Sequence, residues 1–263
     1  MTVSLRLLGT GTSQGVPAIG CDCDTCRSTD ARDTRLRPSA LFTVGAVSLL
    51  IDTSSDFRQQ MLRHGITRID AVLYTHHHFD HIGGFDDVRQ FNYLQQSSMP
   101  CYGRAETLEE IRQTFRYAFS AGQQEGGGVP SAVLNPVVEG QPFRVAGVEI
   151  TPIPVRHGML PILGYRVGNV AYLTDTNGIP ETSMSLLAGL DVLVLDALRH
   201  RAHPTHFSLT EAIDVARGIG ARRTYFTHIA HTIMHARDSA LLPDDMEFSY
   251  DGLSLVSEWD HHD

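Results

Sequence analysis

The stretch Thr75-His76-His77-His78-Phe79-Asp80-His81 decides how this chain folds. Its pattern His-x-His-x-Asp-His places three imidazoles and one carboxylate within six residues. The apolar run before it, residues 71–74, is short enough to be a buried strand. Because side chains alternate along a strand, His76 and His78 would point to one side, while Asp80 and His81 would reach in from the following turn. Four such donors could hold two neighbouring metal ions, so the stretch predicts a metal site.

A histidine-rich stretch has two simpler explanations, a surface cluster of histidines or the remnant of an affinity tag. Tags are not embedded between a predicted strand and a sequence such as Ile82-Gly83-Gly84. The position of the stretch within the chain therefore favours the metal site.

The composition is that of an ordinary globular protein, with 42% hydrophobic and 19% charged residues. A length of 263 residues suits one large domain or two small ones, and we expect a single domain over residues 1–263.

The formal net charge of −9 argues against binding to nucleic-acid backbones, which requires a basic surface. No apolar run is typical of a secretion signal or a membrane span, and four cysteines in that context suggest a reducing compartment. We therefore expect a cytoplasmic protein with no membrane or nucleic-acid partner.

Three further donors each stand at the end of a predicted strand: His157, Asp175 and His228. Strand ends are rigid positions for site residues, and a carboxylate such as Asp175 is a natural bridge between two cations. Each of these residues alone would more simply have a hydrogen-bonded structural role. Together with the histidine-rich stretch, they predict a two-metal site.

Three cysteines, Cys21, Cys23 and Cys26, are spaced so that their thiolates can converge on one ion. The alternatives are a redox pair or three unrelated thiols. The pattern C-x-C-x-x-C outside a thioredoxin-like context favours metal, although the fourth donor is not found nearby. Cys101, in a predicted strand, is interpreted as a buried apolar side chain.

The order of predicted elements favours two sheets packed face to face with helices outside. Strands and helices alternate from residues 3–8 to a helix at residues 107–119, and a second series of strands begins at residue 132. This order predicts an α+β, four-layer αββα sandwich. A glycine-rich stretch at residues 123–130 is interpreted as a mobile connection, with a lid over the site as the alternative.

These residues resemble the metallo-β-lactamase superfamily, which has an αββα fold and a two-metal site. The resemblance rests on Thr75 to His81, followed in order by His157, Asp175 and His228. More narrowly, the loop from Gly9 to Pro17, the three cysteines and Thr227-His228-Ile229-Ala230-His231 resemble the phosphoribosyl cyclic phosphate phosphodiesterases of phosphonate breakdown. The resemblance covers nearly the whole chain.

The resemblance implies ligands for three metal ions. One active-site ion would be held by His76, His78 and His157. The second would be held by Asp80, His81 and His228. Asp175 and a solvent-derived hydroxide would bridge the two ions, which would be Zn²⁺ or Mn²⁺. A structural zinc ion would be held by Cys21, Cys23, Cys26 and His231.

The resemblance also implies the catalytic residues, Asp80 and His206. His206 corresponds to a catalytic histidine of the related phosphodiesterases and would act as a general acid or a phosphate clamp. The bridging hydroxide would attack phosphorus in line, and the metals with His206 would stabilise the charge on the phosphoryl oxygens. Asp52, at the end of a predicted strand, would orient one of the ligands.

These implications predict a hydrolase acting on a small cyclic phosphodiester. Other members of the superfamily keep three alternatives open. They are a pre-tRNA 3′-end endonuclease, an oxygen-dependent oxidase of quinone-cofactor biosynthesis, and a metal-binding module without catalysis. The acidic net charge and the lack of a basic arm count against the endonuclease. A homodimer is left open.

Overall fold

The computed structural model describes residues 2–120 and 128–258, and every statement about the fold refers to these residues. They contain fourteen strands: β1 (Thr2–Gly9), β2 (Ser39–Val44), β3 (Val47–Ile51), β4 (Ala71–Leu73), β5 (Met99–Gly103), β6 (Ala132–Pro136), β7 (Phe143–Val145), β8 (Val148–His157), β9 (Leu160–Val167), β10 (Val170–Leu173), β11 (Val192–Asp196), β12 (Arg223–Thr227), β13 (Met246–Phe248) and β14 (Ser254–Glu258).

The helices of the described residues lie between these strands: α1 (Phe57–His64), α2 (Phe79–Ile82), α3 (Arg89–Gln95), α4 (Ala105–Thr114), α5 (Arg116–Phe119), α6 (Glu181–Met184), α7 (Leu209–Ile219) and α8 (His235–Asp238). Four short 3₁₀ segments accompany them: Ala31–Asp33, Phe85–Val88, Ser185–Leu187 and Ser239–Leu241. None of these helices is long and apolar enough to cross a membrane. Most of the loop predicted at residues 123–130, including its interpretation as a lid, lies outside the described residues.

Two seven-stranded sheets form the centre of the molecule. The first has the order β14-β1-β2-β3-β4-β5-β6, and the second β13-β12-β11-β10-β9-β8-β7. Each sheet has an antiparallel part and a parallel part, with β3 to β6 parallel in the first and β10 to β13 parallel in the second. Strand β14, from the end of the chain, pairs with β1, so both halves of the chain contribute to the first sheet.

Three buried apolar clusters hold the layers together. One fills the space between the sheets and includes Leu5, Phe42, Leu73, Tyr165 and Val194. A second covers the outer face of the first sheet, where α1, α3 and α4 pack, and a third lies between the second sheet and α7. Burial of both faces of each sheet explains why the strands are nearly continuous apolar runs. The predicted α+β, four-layer αββα sandwich is confirmed.

Three details differ from the sequence-based prediction. The helix expected over residues 107–119 is interrupted at Phe115, which turns inward to pack on Phe85 with ring centroids 4.9 Å apart. The alternating apolar residues predict a strand over residues 148–154, but strand β8 runs on to His157, because its pairing with β9 continues despite Pro152 and Pro154. Strand β13 was not predicted, since a strand of three residues shows no recognisable alternation.

The sheets bring the carboxyl ends of several strands to one edge of the sandwich. Asp52 follows β3, the histidine-rich stretch follows β4, and Asp175 follows β10. His157 ends β8, and His228 follows β12. In open α/β sheets, ligands bind beyond the carboxyl ends of the strands, so the fold places the predicted donors where a site is expected.

Candidate metal centre

All seven predicted active-site donors converge at this edge. They form two groups whose donor atoms lie within 4.8 Å of one another: His76, His78 and His157 in the first, and Asp80, His81, Asp175 and His228 in the second. The sequence-adjacent His77 belongs to neither group, as strand alternation predicts. The donors come from both sheets, so the two groups form only when the sheets pack together.

Hydrogen bonds determine which ring nitrogen of His76 and of His157 is available to a metal ion. Thr75 Oγ1 donates to Asp52 Oδ2 (2.8 Å) and accepts from His76 Nδ1 (3.0 Å). The Nδ1 of His157 donates to the carbonyl oxygen of Thr205 (2.8 Å). In a neutral imidazole the second nitrogen then carries the lone pair, so Nε2 of His76 and His157 is available for a metal ion.

His78 completes the first group from the opposite side. Its Nδ1 lies 3.0 Å from Nε2 of His76, close to the ~3.3 Å that separates two imidazole nitrogens on one tetrahedral zinc ion. His78 is exposed, whereas His76 and His157 are buried. The site is therefore open to solvent beside His78.

The second group is built around Asp175. Nε2 of His81 lies 3.3 Å from Asp175 Oδ1, and Nε2 of His228 lies 3.2 Å from Asp175 Oδ2. Asp80 Oδ2 is 3.3 Å from the same nitrogen of His81. Asp175 Oδ2 also lies 3.9 Å from Nε2 of His76 in the first group, so this carboxylate reaches both groups.

Asp52 orients His81 as the sequence predicted. Its Oδ2 accepts from Nδ1 of His81 at 2.7 Å, and its Oδ1 accepts from the amide of Thr75 at 2.8 Å. Because Nδ1 donates to the carboxylate, Nε2 of His81 keeps its lone pair and faces Asp175. A carboxylate behind the ring also increases the basicity of a ligating imidazole.

The ionisable side chains of the second group shift one another's pKa values. Burial would raise the pKa of Asp80, but the neighbouring imidazoles of His81 and His228 hold it well below its usual range. Burial would lower the pKa of His81, but Asp175, Asp80 and Asp52 raise it well above its usual range. The carboxylates therefore attract positive charge to this point, which a divalent cation can supply.

The donor set fits divalent metal ions. Among the described residues, five buried ring nitrogens have no hydrogen-bond partner, and three of them lie at this site: His81 Nε2, His228 Nε2 and His228 Nδ1. Buried polar atoms are nearly always paired, so the unpaired Nε2 atoms of His81 and His228 that face Asp175 fit the ligands of a cation. Imidazole and carboxylate ligands suit Zn²⁺ and Mn²⁺ alike.

Three residues at this edge have left-handed backbone conformations that L-residues seldom adopt. The φ angles are 59° at Asp52, 55° at Asp175 and 60° at His228. Asp52 and His228 directly follow strands that end at the site, and Asp175 stands two residues beyond the end of β10. Such conformations are costly and persist where the surrounding structure imposes them, which happens most often at functional sites.

His206 lies beside both groups and is held by a residue that sequence reasoning missed. Asp196, the last residue of β11, has Oδ1 3.2 Å from Nδ1 of His206 and 3.5 Å from Nδ1 of His228. The His206 ring stacks on that of His228 at 4.7 Å and meets His157 edge-on at 4.6 Å. The only signal in the sequence was a carboxylate ending an apolar strand, the same signal that marked Asp175.

The three cysteines and His231 form a separate cluster. Nδ1 of His231 lies 3.4 Å from the sulfur of Cys21 and 3.3 Å from that of Cys23, and Cys26 completes the group within 4.8 Å. The hydrogen bond with His231 lowers the pKa of Cys23 to about 6, which favours the thiolate that a metal requires. A closed set of three thiolates and one imidazole is typical of structural zinc. Cys101 is fully buried away from this cluster, as predicted.

Comparison with known proteins identifies the family. Residues 48–229 match the family described as beta-lactamase superfamily domain. A solved structure of a new diphosphatase from the PhnP family is 43% identical, with a TM-score of 0.91 and 98% of both chains covered. An octanoyltransferase of Porphyromonas gingivalis is 40% identical over 253 residues, which are 95% of this chain and 51% of that protein. This chain thus spans about half the length of that relative.

A ribonuclease Z of Bradyrhizobium diazoefficiens is also similar, with 32% identity over 127 residues, 47% of this chain and 41% of that protein. The predicted resemblance to the phosphonate-breakdown phosphodiesterases agrees with the full-length match to a PhnP-family structure. The family match covers the histidine-rich stretch and every other predicted donor of the two active-site groups. The chain belongs to the beta-lactamase superfamily, the family of metal-dependent hydrolases that its histidine-rich stretch predicted.

Proposed function

We propose that this chain is a metal-dependent hydrolase of a small phosphate ester or anhydride, with a cyclic phosphodiester as the first candidate substrate. The observation that carries the proposal is the convergence of seven imidazole and carboxylate donors around Asp175, with His206 beside them. His76, His78 and His157 would hold one divalent cation, and Asp80, His81 and His228 the other. Bound cations of this kind supply an activated water nucleophile near neutral pH and neutralise phosphoryl charge.

His206 and Asp196 are proposed to manage the proton of the leaving group. Burial raises the pKa of Asp196 well above its usual range, and burial with the charge of His228 lowers the pKa of His206 to about 4. Both shifts disfavour an ion pair, so the two groups together hold their proton as a carboxylic acid beside a neutral imidazole. With Asp196 donating to Nδ1, the ring proton of His206 lies on Nε2. As Nε2 gives this proton to a leaving oxygen, Asp196 gives its own proton to Nδ1, which leaves a neutral imidazole and a carboxylate.

A second candidate substrate is a diphosphate. It is supported by the diphosphatase of the PhnP family, which matches this chain over nearly its full length. Both candidates require attack of water on phosphorus, so the same donors and the same His206 would serve either reaction. The ribonuclease Z matches cover 47% to 63% of this chain at 28% to 32% identity, less than the match to the diphosphatase, and the net charge of −9 disfavours RNA.

The proposal is tested with a substrate panel in the presence of Zn²⁺ or Mn²⁺. The panel contains a ribose 1,2-cyclic phosphate, a 2′,3′-cyclic nucleotide, ADP-ribose and a tRNA precursor. We expect hydrolysis of at least one of the three small substrates. Cleavage of the tRNA precursor alone would overturn the proposal in favour of the endonuclease, and oxidation with iron and oxygen but no hydrolysis would favour the oxidase.

A substitution of Asp175 tests whether the two donor groups form the catalytic centre. Asp175→Asn should lower kcat/KM by more than about 100-fold, because this carboxylate reaches both donor groups. Asp191→Asn is the matched control, since Asp191 precedes β11 at the opposite edge and accepts a hydrogen bond from Ser257. Full activity of Asp175→Asn would exclude this metal site as the catalytic centre.

We further propose a structural zinc ion at the cysteine cluster and a single domain over residues 1–263. The thiolate-imidazole geometry supports the zinc ion. The cytoplasmic location and the homodimer stay predictions. Metal analysis of the purified protein, with one zinc ion that resists mild chelation, would support the structural site.

A further inference from the structure

The loop between β11 and α7 carries an imidazole that the proposed chemistry does not use. His203 lies close to His206, with ring centroids 5.1 Å apart and ring planes inclined by 53°. His206 is buried, whereas His203 is half-buried. A substrate held at His206 therefore has a second, accessible imidazole within reach.

The hydrogen bonds of Thr205 decide what this second imidazole offers. The amide of Thr205 lies 3.3 Å from Nδ1 of His203, and the Thr205 hydroxyl lies 3.2 Å from the same atom. A backbone N–H can only donate, so Nδ1 accepts and the proton of the neutral ring is on Nε2. His203 thus presents an N–H donor on the side of the ring that faces away from its own loop.

The loop that presents His203 is held in place from several directions. The carbonyl oxygen of Thr205 accepts from Nδ1 of His157 at 2.8 Å. The side chain of Asn177 donates to the carbonyl oxygen of Pro204 and accepts from the amide of Gly158, both at 2.8 Å. A Cβ at Gly158 would come within 2.9 Å of Thr205 Cγ2, so the hairpin tip and the loop fit closely. Preorganised donors of this kind lose little entropy when a ligand binds.

The same loop carries a fixed positive charge. The guanidinium of Arg199 donates to the carbonyl oxygens of Arg201 (3.1 Å) and Ala202 (2.9 Å), which holds it within the loop. In a chain with a net charge of −9, this guanidinium and the N–H donor of His203 on the same loop favour an anionic group. Phosphate oxygens are the acceptors that N–H donors and guanidinium groups bind well.

We propose that His203 binds the second phosphate of a diphosphate substrate whose first phosphoryl group lies at His206. This inference rests on the proposed function and narrows it to diphosphates, because a cyclic phosphodiester that carries no other phosphate, such as a 2′,3′-cyclic nucleotide, has no second phosphate for His203 to bind. His203 is then a specificity-determining residue that selects diphosphates over cyclic esters. The attacked phosphorus stays with the metal donors and His206, and His203 contacts only the neighbouring phosphate.

The test compares His203→Ala with His200→Ala on two substrates. His200 is the matched control because it stands on the same loop, but its Nε2 faces Asp238 at 3.4 Å. The substrates are ADP-ribose and adenosine 2′,3′-cyclic phosphate, which share the nucleoside and differ in the number of phosphates. We expect His203→Ala to lower the ratio of kcat/KM for ADP-ribose over the cyclic ester about ten-fold, as expected for one hydrogen bond to a charged group. His200→Ala should change this ratio less than about two-fold.

A binding measurement tests independently of turnover whether His203 binds the second phosphate. Calorimetric titration of the metal-loaded protein with α,β-methylene-ADP and with AMP should show that His203→Ala weakens the first about ten-fold more than the second. If His203→Ala lowered the affinity for both ligands equally and kcat/KM for both substrates equally, the proposal would be overturned, because such losses would indicate a structural role through Thr205. Unchanged affinity for both ligands would also overturn it. Failure of the unaltered protein to cleave these two substrates and the ribose 1,2-cyclic phosphate would refute the proposed function, while the titration would still decide the role of His203.

Discussion

The substitution Asp52→Asn tests whether the hydrogen bond behind His81 prepares the metal centre. Asp52 accepts three hydrogen bonds: from the amide of Thr75, from the Thr75 hydroxyl and from Nδ1 of His81. An asparagine has one oxygen for these three donors and adds an NH₂ group of its own. If the oxygen stays with the Thr75 amide, the NH₂ group faces His81 Nδ1, which must then give up its proton and accept.

That change moves the proton of His81 to Nε2, the nitrogen that faces Asp175 at 3.3 Å. A protonated nitrogen cannot bind a cation, so metal binding must first restore the original tautomer against an unfavourable contact. The lost charged hydrogen bond is worth roughly 1.5–3 kcal/mol. At about 1.4 kcal/mol per factor of ten, this predicts a loss of metal affinity of about 10- to 100-fold.

The assay is competition between the protein and a chromophoric chelator for Zn²⁺, and separately for Mn²⁺. Asp251→Asn is the control, since Asp251 is also a buried carboxylate with several donors but contacts Thr10 and Leu36 rather than a metal donor. We expect Asp251→Asn to bind metal as the unaltered protein does. If Asp52→Asn also kept the affinity of the unaltered protein, the tautomer argument for His81 would be wrong.

Three other outcomes are expected. Because burial raises the pKa of Asp251 to about 6, the folded protein holds a proton there that the unfolded chain releases from about pH 4 upward. This contribution to the free energy of unfolding is complete below about pH 4 and lost as the pH rises through about 6. The free energy of unfolding measured with urea should therefore decrease between these pH values, and Asp251→Asn should remove that decrease. Ser208→Ala should cost about 1 kcal/mol, measured by the same method, because Ser208 and Glu211 form a capping box at the start of α7. Cys23→Ser should lower the zinc content by about one ion per chain, as measured by elemental analysis, whereas Cys101→Ser should not.

The sequence was sufficient to single out the residues that converge at the candidate site, because its main pattern is local. Six consecutive residues hold His76, His78, Asp80 and His81, and the strand before them fixes their directions. The αββα architecture followed from the order of strands and helices, which needs no long-range information. Asp175 could be singled out because it ends an apolar strand.

The supporting residues could not be found in this way, because their roles depend on contacts between distant segments. Thr205 acts on His157, 48 residues away, and its amide and carbonyl groups leave no trace in a residue pattern. Asp196 had the same sequence signal as Asp175, yet its partners His206 and His228 come from two other segments. A strand-end carboxylate predicts that a site is near, and only the packing of the two sheets decides whether it faces a metal or an imidazole.

The left-handed residues explain how the donors are held in place. Asp52, Asp175 and His228 each adopt a positive φ within two residues of the end of a strand, at a cost on the order of 1–3 kcal/mol for each residue. Strand pairing, the apolar core between the sheets and the hydrogen bonds of Thr75 fix the chain on both sides of these residues. The strain is therefore balanced by the fold itself, and it turns each side chain toward the common centre. A site held in this way has its donors in position before any cation arrives, which reduces the reorganisation that binding requires.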